Sequence, residues 1–164
     1  MNIDRARLIF DVSAWTAGTA LSLFLVVDAL ASDRVPPAPP NAAYTAECGS
    51  CHIAYPPRFL AARGWAAIMQ DTSRHFGVDA SVDPAVNTAI RTYLEVNVAS
   101  PGQKRYDPSA TRITETRWFR KEHAEIGAGV FQRAGVNSPA NCAACHPAAE
   151  RGQFNEHDVR IPRT

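Results

Sequence analysis

Net charge is nearly absent from this chain of 164 residues: 17 Lys and Arg stand against 16 Asp and Glu, a formal +1. A nucleic-acid-binding domain carries a strong basic excess, so that class is excluded. A conventional membrane span is missing too. The uncharged apolar stretch at residues 12–27 has 16 residues, where a span takes about 20. Methionine and histidine are scarce, at two and five residues, which narrows the choice wherever a sulfur or imidazole ligand is needed. No alternation of strand-like and helix-like segments surrounds the cysteines, which argues against a thioredoxin-type redox pair. With 46% apolar residues the chain is not intrinsically disordered either.

What is present begins with a leader. Arg5 and Arg7 precede the apolar stretch, and Ala29-Leu30-Ala31 follows in the small-x-small form read by signal peptidase. This predicts a signal peptide over residues 1–31; the alternative is a retained membrane anchor. Residues 32–164 then carry a formal +2, because the leader removes three acids and two bases. Val35-Pro36-Pro37-Ala38-Pro39-Pro40 has fixed φ angles and predicts a stiff tether over 32–42, with ordered structure beginning near Asn41.

The four cysteines form two pairs, Cys48-Gly-Ser-Cys51-His52 and Cys142-Ala-Ala-Cys145-His146. Each is Cys-x-x-Cys followed directly by His, the attachment pattern of a c-type haem. Two thiols three positions apart on one turn reach both vinyl groups of a porphyrin, and the next residue aims an imidazole at the iron. Chance would place His after both pairs about once in a thousand such compositions. A zinc ribbon separates its pairs by about 15–20 residues, whereas 90 residues lie between Cys51 and Cys142. A disulfide within either pair would close a loop too small to constrain the unfolded chain. Two covalently bound c-type haems are therefore expected, with His52 and His146 as one axial ligand each. Haem attachment occurs on the outer side of an energy-transducing membrane, in agreement with the leader.

The remaining candidates for the opposite positions are His75, His123, His157 and, after the leader, Met69 alone. Residues 64–75 read as a helix stopped by Gly77, with Trp65, Ile68, Thr72 and His75 on one face. His75 is favoured for the first haem, with Met69 as the alternative or as a core gap-filler. Residues 116–126 also read as a helix, with Phe119, His123 and Ile126 along one side, and favour His123 for the second haem. His157, between acidic neighbours, reads as a surface residue. Filling both axial positions leaves no ready site for oxygen or peroxide, so the chemistry left is electron transfer rather than catalysis.

Asp83-Pro84 predicts a further helix, capped by Asp, with an apolar face of Ala85, Ala89, Tyr93 and Val96 broadened by Ile90 and Leu94. The turn cluster Ala99-Ser100-Pro101-Gly102 and the polar residues after it divide the chain near residue 105. The expected fold class is mostly α, as two small haem-centred helical domains over 43–104 and 105–164. Halves of roughly 55–70 residues rarely hold a core unaided, so the haem is expected to supply it and the apoprotein to be largely unfolded. Arg112, Arg117, Arg120, Lys121 and Arg133 read as a solvated basic face; propionate pairing or docking of an acidic partner is the sharper alternative. Ionised propionates bring the formal charge of the haem-loaded protein to roughly zero, leaving long-range steering to local patches.

These residues resemble the bacterial dihaem cytochromes c, the DHC family. The resemblance is carried by the first motif with Tyr55-Pro56-Pro57, by Trp65-Ala66-Ala67-Ile68-Met69, and by His75-Phe76-Gly77-Val78-Asp79-Ala80-Ser81. It continues through Trp118-Phe119-Arg120-Lys121-Glu122-His123, Asn141 with the second motif, Phe154 and Ile161-Pro162. The C-terminal half is also similar to the small dihaem subunit of periplasmic nitrate reductase. The resemblance implies two bis-His haems with His75 and His123 as distal ligands, and a first part that is cytochrome-c-like. It further implies a periplasmic, non-enzymatic electron carrier between a membrane cytochrome b-type donor and a soluble haem protein. The chain is expected to act as a monomer; a reductase input subunit and a gas sensor with a labile His are the rival readings.

Overall fold

The computed structural model describes residues 37–164. The expected signal peptide and most of the tether lie outside the described residues. Among those described, four α-helices and several single 3₁₀ turns are joined by irregular chain, with isolated bridges but no strand. The mostly α class is observed.

Pro37 to Pro40 has no regular structure, and Asn41 then caps α1 (Ala42–Cys48) by accepting the Tyr44 amide on its side chain at 2.8 Å. Such a cap satisfies an amide that the first turn leaves without a partner. The second helix, α2 (Ala62–Gln70), is shorter than its apolar pattern suggests. At Asp71 the backbone leaves helical geometry, and the carboxylate binds Ser73 and Arg74. A local side-chain bond of this kind competes with helix continuation. A 3₁₀ turn over Thr72–Arg74 follows, so His75 sits beyond the helix rather than on its stripe.

Asp83 caps α3 (Pro84–Asn97) through the Ala85 and Val86 amides, with Pro84 in the first turn as expected. Its inward face is rotated from the expected one. Val86, Ile90, Tyr93 and Leu94 point to the core, whereas Ala85 and Ala89 are exposed and Val96 is 79% exposed. The larger side chains win the buried positions because burial stabilises in proportion to apolar area.

α2 and α3 pack around a core of Tyr44, Leu60, Trp65, Met69, Ile90, Leu94 and Ala110. This apolar core is made by the chain itself, mostly from the first half with Ala110 from beyond residue 105. Trp65 and Tyr44 meet edge to face, and each polar tip is satisfied: indole to Pro57 carbonyl at 2.7 Å, phenol to Tyr55 carbonyl at 2.6 Å. Met69 is 5% exposed and belongs to this core, its gap-filling alternative.

The second half has one short helix, α4 (Arg117–Glu122), capped by the buried Thr116. Asp107, 3% exposed, accepts the Arg117 amide at 2.9 Å and so fixes where α4 begins. The rest is a set of 3₁₀ turns tied to the last residues: Arg133 donates to the Pro162 carbonyl and Gly135 to that of Thr164. Contacts across residue 105 are close. Phe59 packs against Trp118 and Phe154, and a Cβ on Gly64 would meet the Ala110 carbonyl oxygen at 2.7 Å.

Candidate functional site

Cys48 ends α1 and Gly49 turns the chain, which carries Cys51 and His52 out of the helix. The second pair lies on a 3₁₀ turn, Cys142–Ala144, closed at Cys145. None of the four thiols is in a disulfide, and among the described residues no three His, Cys, Asp or Glu converge as a direct metal cage. Burial pushes the Cys48 thiol up to about 11 and the Cys142 thiol likewise to about 11. Both free thiols are therefore protonated at neutral pH.

Each motif histidine faces a second histidine. The rings of His52 and His75 have centroids 6.1 Å apart and planes 33° apart. Those of His123 and His146 are 6.2 Å and 77° apart. Neither pair is stacked. An imidazole nitrogen binds a metal at about 2.0 Å and lies roughly 1.1 Å from its ring centre, so two trans rings have centroids about 6.2 Å apart. Both gaps match that figure. His157 is exposed beside Glu156 and lies in neither pair.

The tautomers suit ligation. Nδ1 of His52 is 2.8 Å from the Ile53 carbonyl, and Nδ1 of His123 is 2.9 Å from the Phe119 carbonyl. A carbonyl can only accept, so each Nδ1 carries the proton and each Nε2 keeps its lone pair. His75 and His146 lie below the usual imidazole range, chiefly through burial and then through the facing His52 and His123 respectively. The shifts favour the neutral form of His75 and His146.

An open cleft of about 900 Å³ is lined by residues of both motifs, among them Cys51, His52, Tyr55, Cys142 and Ala143. Buried N–H groups without a protein acceptor occur at Arg58 Nε and Trp118 Nε1. Orphaned donors of this kind call for an acceptor outside the polypeptide, and haem carboxylates are such acceptors. Paired imidazoles, thiols, cleft and orphaned donors all fit two haems. The sequence pattern put Phe119 on the side of His123, where the rings stack at 4.0 Å, but missed two further supports: Tyr55 stacked on His52 at 4.7 Å and Phe154 against His146 at 5.3 Å. For Tyr55 the available signal was an aromatic three residues after the motif histidine.

A helical chain with two Cys-x-x-Cys-His turns, each facing another imidazole, is a c-type cytochrome in its class. Residues 44–154 match the profile of the family described as dihaem cytochrome c, and the chain belongs to that family. Solved structures agree. A dihaem cytochrome c from Shewanella baltica OS155 is 42% identical, covering 76% of this chain and 95% of that one, with a TM-score of 0.67. Two structures from Rhodobacter sphaeroides, a dihaem cytochrome c and purified DHC, are 38% and 41% identical. They cover 73% and 70% of this chain and 100% and 96% of their own, with TM-scores of 0.65 and 0.61. No curated protein gives a significant match. Membership of the family entails two covalently attached c-type haems and implies electron transfer. Among the described residues no helix is long and apolar enough to cross a membrane.

Proposed function

We propose that the protein is a periplasmic carrier of single electrons, not an enzyme, whose two haems are each held by two thioethers and two imidazoles. Cys48 and Cys51 would attach the first haem, and His52 and His75 would hold its iron. Cys142 and Cys145 would attach the second, held by His146 and His123. The observation that carries this reading is the pair of imidazole gaps, 6.1 and 6.2 Å. Each haem supplies, when bound, one reversible one-electron couple.

The chain's own residues confine the chemistry to that couple. With His75 and His123 holding the irons opposite His52 and His146, oxygen or peroxide would find no open position. Two imidazoles in place of His and Met also favour a low reduction potential, since a Met ligand raises it. Met69 is spent in the core, where its carbonyl accepts the Asn87 side chain at 3.3 Å.

Several of the basic residues are engaged within the fold. Arg117 pairs with Asp107, Arg112 with Glu115 and with the ring of Phe76, and Arg133 with a backbone carbonyl. Arg120 and Lys121 stand exposed in the last turn of α4, three and two residues before His123. That placement supports docking of an acidic redox partner near the second haem. The proposed donor is a membrane cytochrome b-type protein and the proposed acceptor a soluble haem protein.

A pyridine haemochrome assay on the purified protein is expected to give two haems per chain. The ferric optical spectrum is expected to be low-spin throughout. A methionine–iron band in the far red, a high-spin band, or carbon monoxide binding by the reduced protein at neutral pH would overturn the bis-His assignment.

A further inference from the structure

The two haem-bearing motifs meet at one side chain. Tyr55 follows His52 by three residues, and its ring lies on the imidazole with centroids 4.7 Å apart and planes 27° apart. Its hydroxyl donates to the carbonyl of Ala140 at 2.5 Å, 85 residues along the chain and two residues before Cys142. Its own carbonyl accepts the Tyr44 hydroxyl at 2.6 Å, which anchors it to α1. The same residue lines the cleft that both motifs share. Three parts of Tyr55 therefore have three tasks: the backbone is held by the first helix, the ring is laid on His52, and the hydroxyl is bound to the loop that leads to Cys142.

That loop is otherwise tied mainly to itself. Ser138 Oγ accepts the Ala140 amide at 3.1 Å, and the Asn141 side chain donates to the Val136 carbonyl at 3.0 Å. The halves are held together elsewhere by Phe59 against Trp118 and Phe154. Loss of the Tyr55 hydroxyl would thus remove a link between the two motifs without separating the halves.

We propose that Tyr55 is a positioning residue that couples the two haem centres: its ring sets the plane of His52, and its hydroxyl ties that plane to the loop of the second attachment motif. The proposal rests on His52 and His75 being the ligands of the first haem. A stacked neighbour restricts rotation of an imidazole about its bond to iron, and that orientation is read directly in the g-values of a low-spin ferric haem. The hydroxyl bond reaches the other motif and governs how the two centres communicate. Exchange in a half-reduced molecule would transfer one electron between the two centres, one iron being oxidised as the other is reduced.

The two roles separate in two variants of the full haem-loaded protein. Tyr55→Phe keeps the ring and removes the hydroxyl. It is expected to leave the first haem's g-values unchanged and to slow electron exchange between the haems, seen as line shape in half-reduced NMR samples, by about threefold or more. Tyr55→Leu removes the stack and is expected to move the g-values of the first haem while those of the second stay in place. Two haems per chain in each variant confirm that the site has assembled, and Tyr55→Phe, the conservative change, keeps the test open if Tyr55→Leu fails to assemble. Wild-type exchange in Tyr55→Phe, or wild-type g-values in Tyr55→Leu, would overturn the proposal. A high-spin or methionine-type signal at the first haem of the unmodified protein would instead remove the ligand assignment beneath it.

Discussion

Phe119 holds His123 in two ways at once. The rings are stacked with centroids 4.0 Å apart and planes 18° apart, and the Phe119 carbonyl is 2.9 Å from Nδ1 of the same histidine. The four-residue spacing that places them on one helical side thus fixes both the plane and the tautomer of the imidazole. Phe119→Leu keeps the carbonyl and most of the volume but loses the stack. We expect it to introduce a high-spin fraction at the second haem only, measured by ferric EPR. Phe119→Ala is expected to cost the fold about 3–5 kcal/mol as well, because the residue is buried.

Asp107 is expected to contribute to acid sensitivity. Its carboxyl is held down to about 2, first by the Arg117 amide and then by the Ser109 hydroxyl, against opposing desolvation. A carboxyl lowered in the folded state contributes stability that is fully present above its unfolded value near 4. That contribution is lost as pH falls from about 4 toward 2. Asp107→Asn is expected to flatten stability across that window in denaturant titrations at stepped pH. Asp107→Ala is expected to cost about 1–2 kcal/mol at neutral pH by stripping the acceptor from the start of α4.

Gly64 marks a close backbone approach between α2 and the later chain. In an open helix, alanine in place of glycine stabilises by about 1 kcal/mol. Here the added carbon would meet the Ala110 carbonyl oxygen at 2.7 Å and the Leu60 side chain at 3.4 Å. Rigid backbone has to yield, and overpacking of this kind costs about 1–3 kcal/mol. Gly64→Ala is expected to lower the melting temperature of the haem-loaded protein, with the ferric spectrum unchanged.

Trp118 provides a test of the orphaned donors. Its Nε1–H is buried without a protein acceptor, and its ring packs on Phe59. If the N–H serves a haem carboxylate, Trp118→Phe weakens only the haem-loaded protein, by about 1.5 kcal/mol for a bond to a charged acceptor. The reduction potential of one haem should fall as that carboxylate loses a compensating donor. Redox titration and thermal unfolding of the haem-loaded variant check both outcomes.

Much of the site was legible because its chemistry is local in sequence. Cys-x-x-Cys-His contains the spacing its bond formation needs, and the shortage of histidine and methionine left few candidates for the opposite ligands. The four-residue separation of Phe119 and His123 likewise predicted their shared side. The His75 helix misled, because a periodic apolar pattern carries no information about Asp71 turning its carboxylate onto Ser73 and Arg74. The inward face of α3 was misplaced for a related reason: periodicity ranks Val96 with Leu94, and only the position of α2 decides which of them is covered.

The amino-acid sequence by itself determined that this protein carries two c-type haems and offers four thiols in two pairs for them, since thioether formation depends on residue types within five consecutive positions. It also left Met69 as the sole methionine besides Met1. Tertiary structure decided which histidine faces which, because His52 and His75, or His123 and His146, are brought together only when turns and helices pack. It decided that Met69 is core, and that Tyr55 joins two motifs separated by most of the folded chain. Local covalent chemistry is written in spacing; the orientation of a ring depends on everything that packs around it.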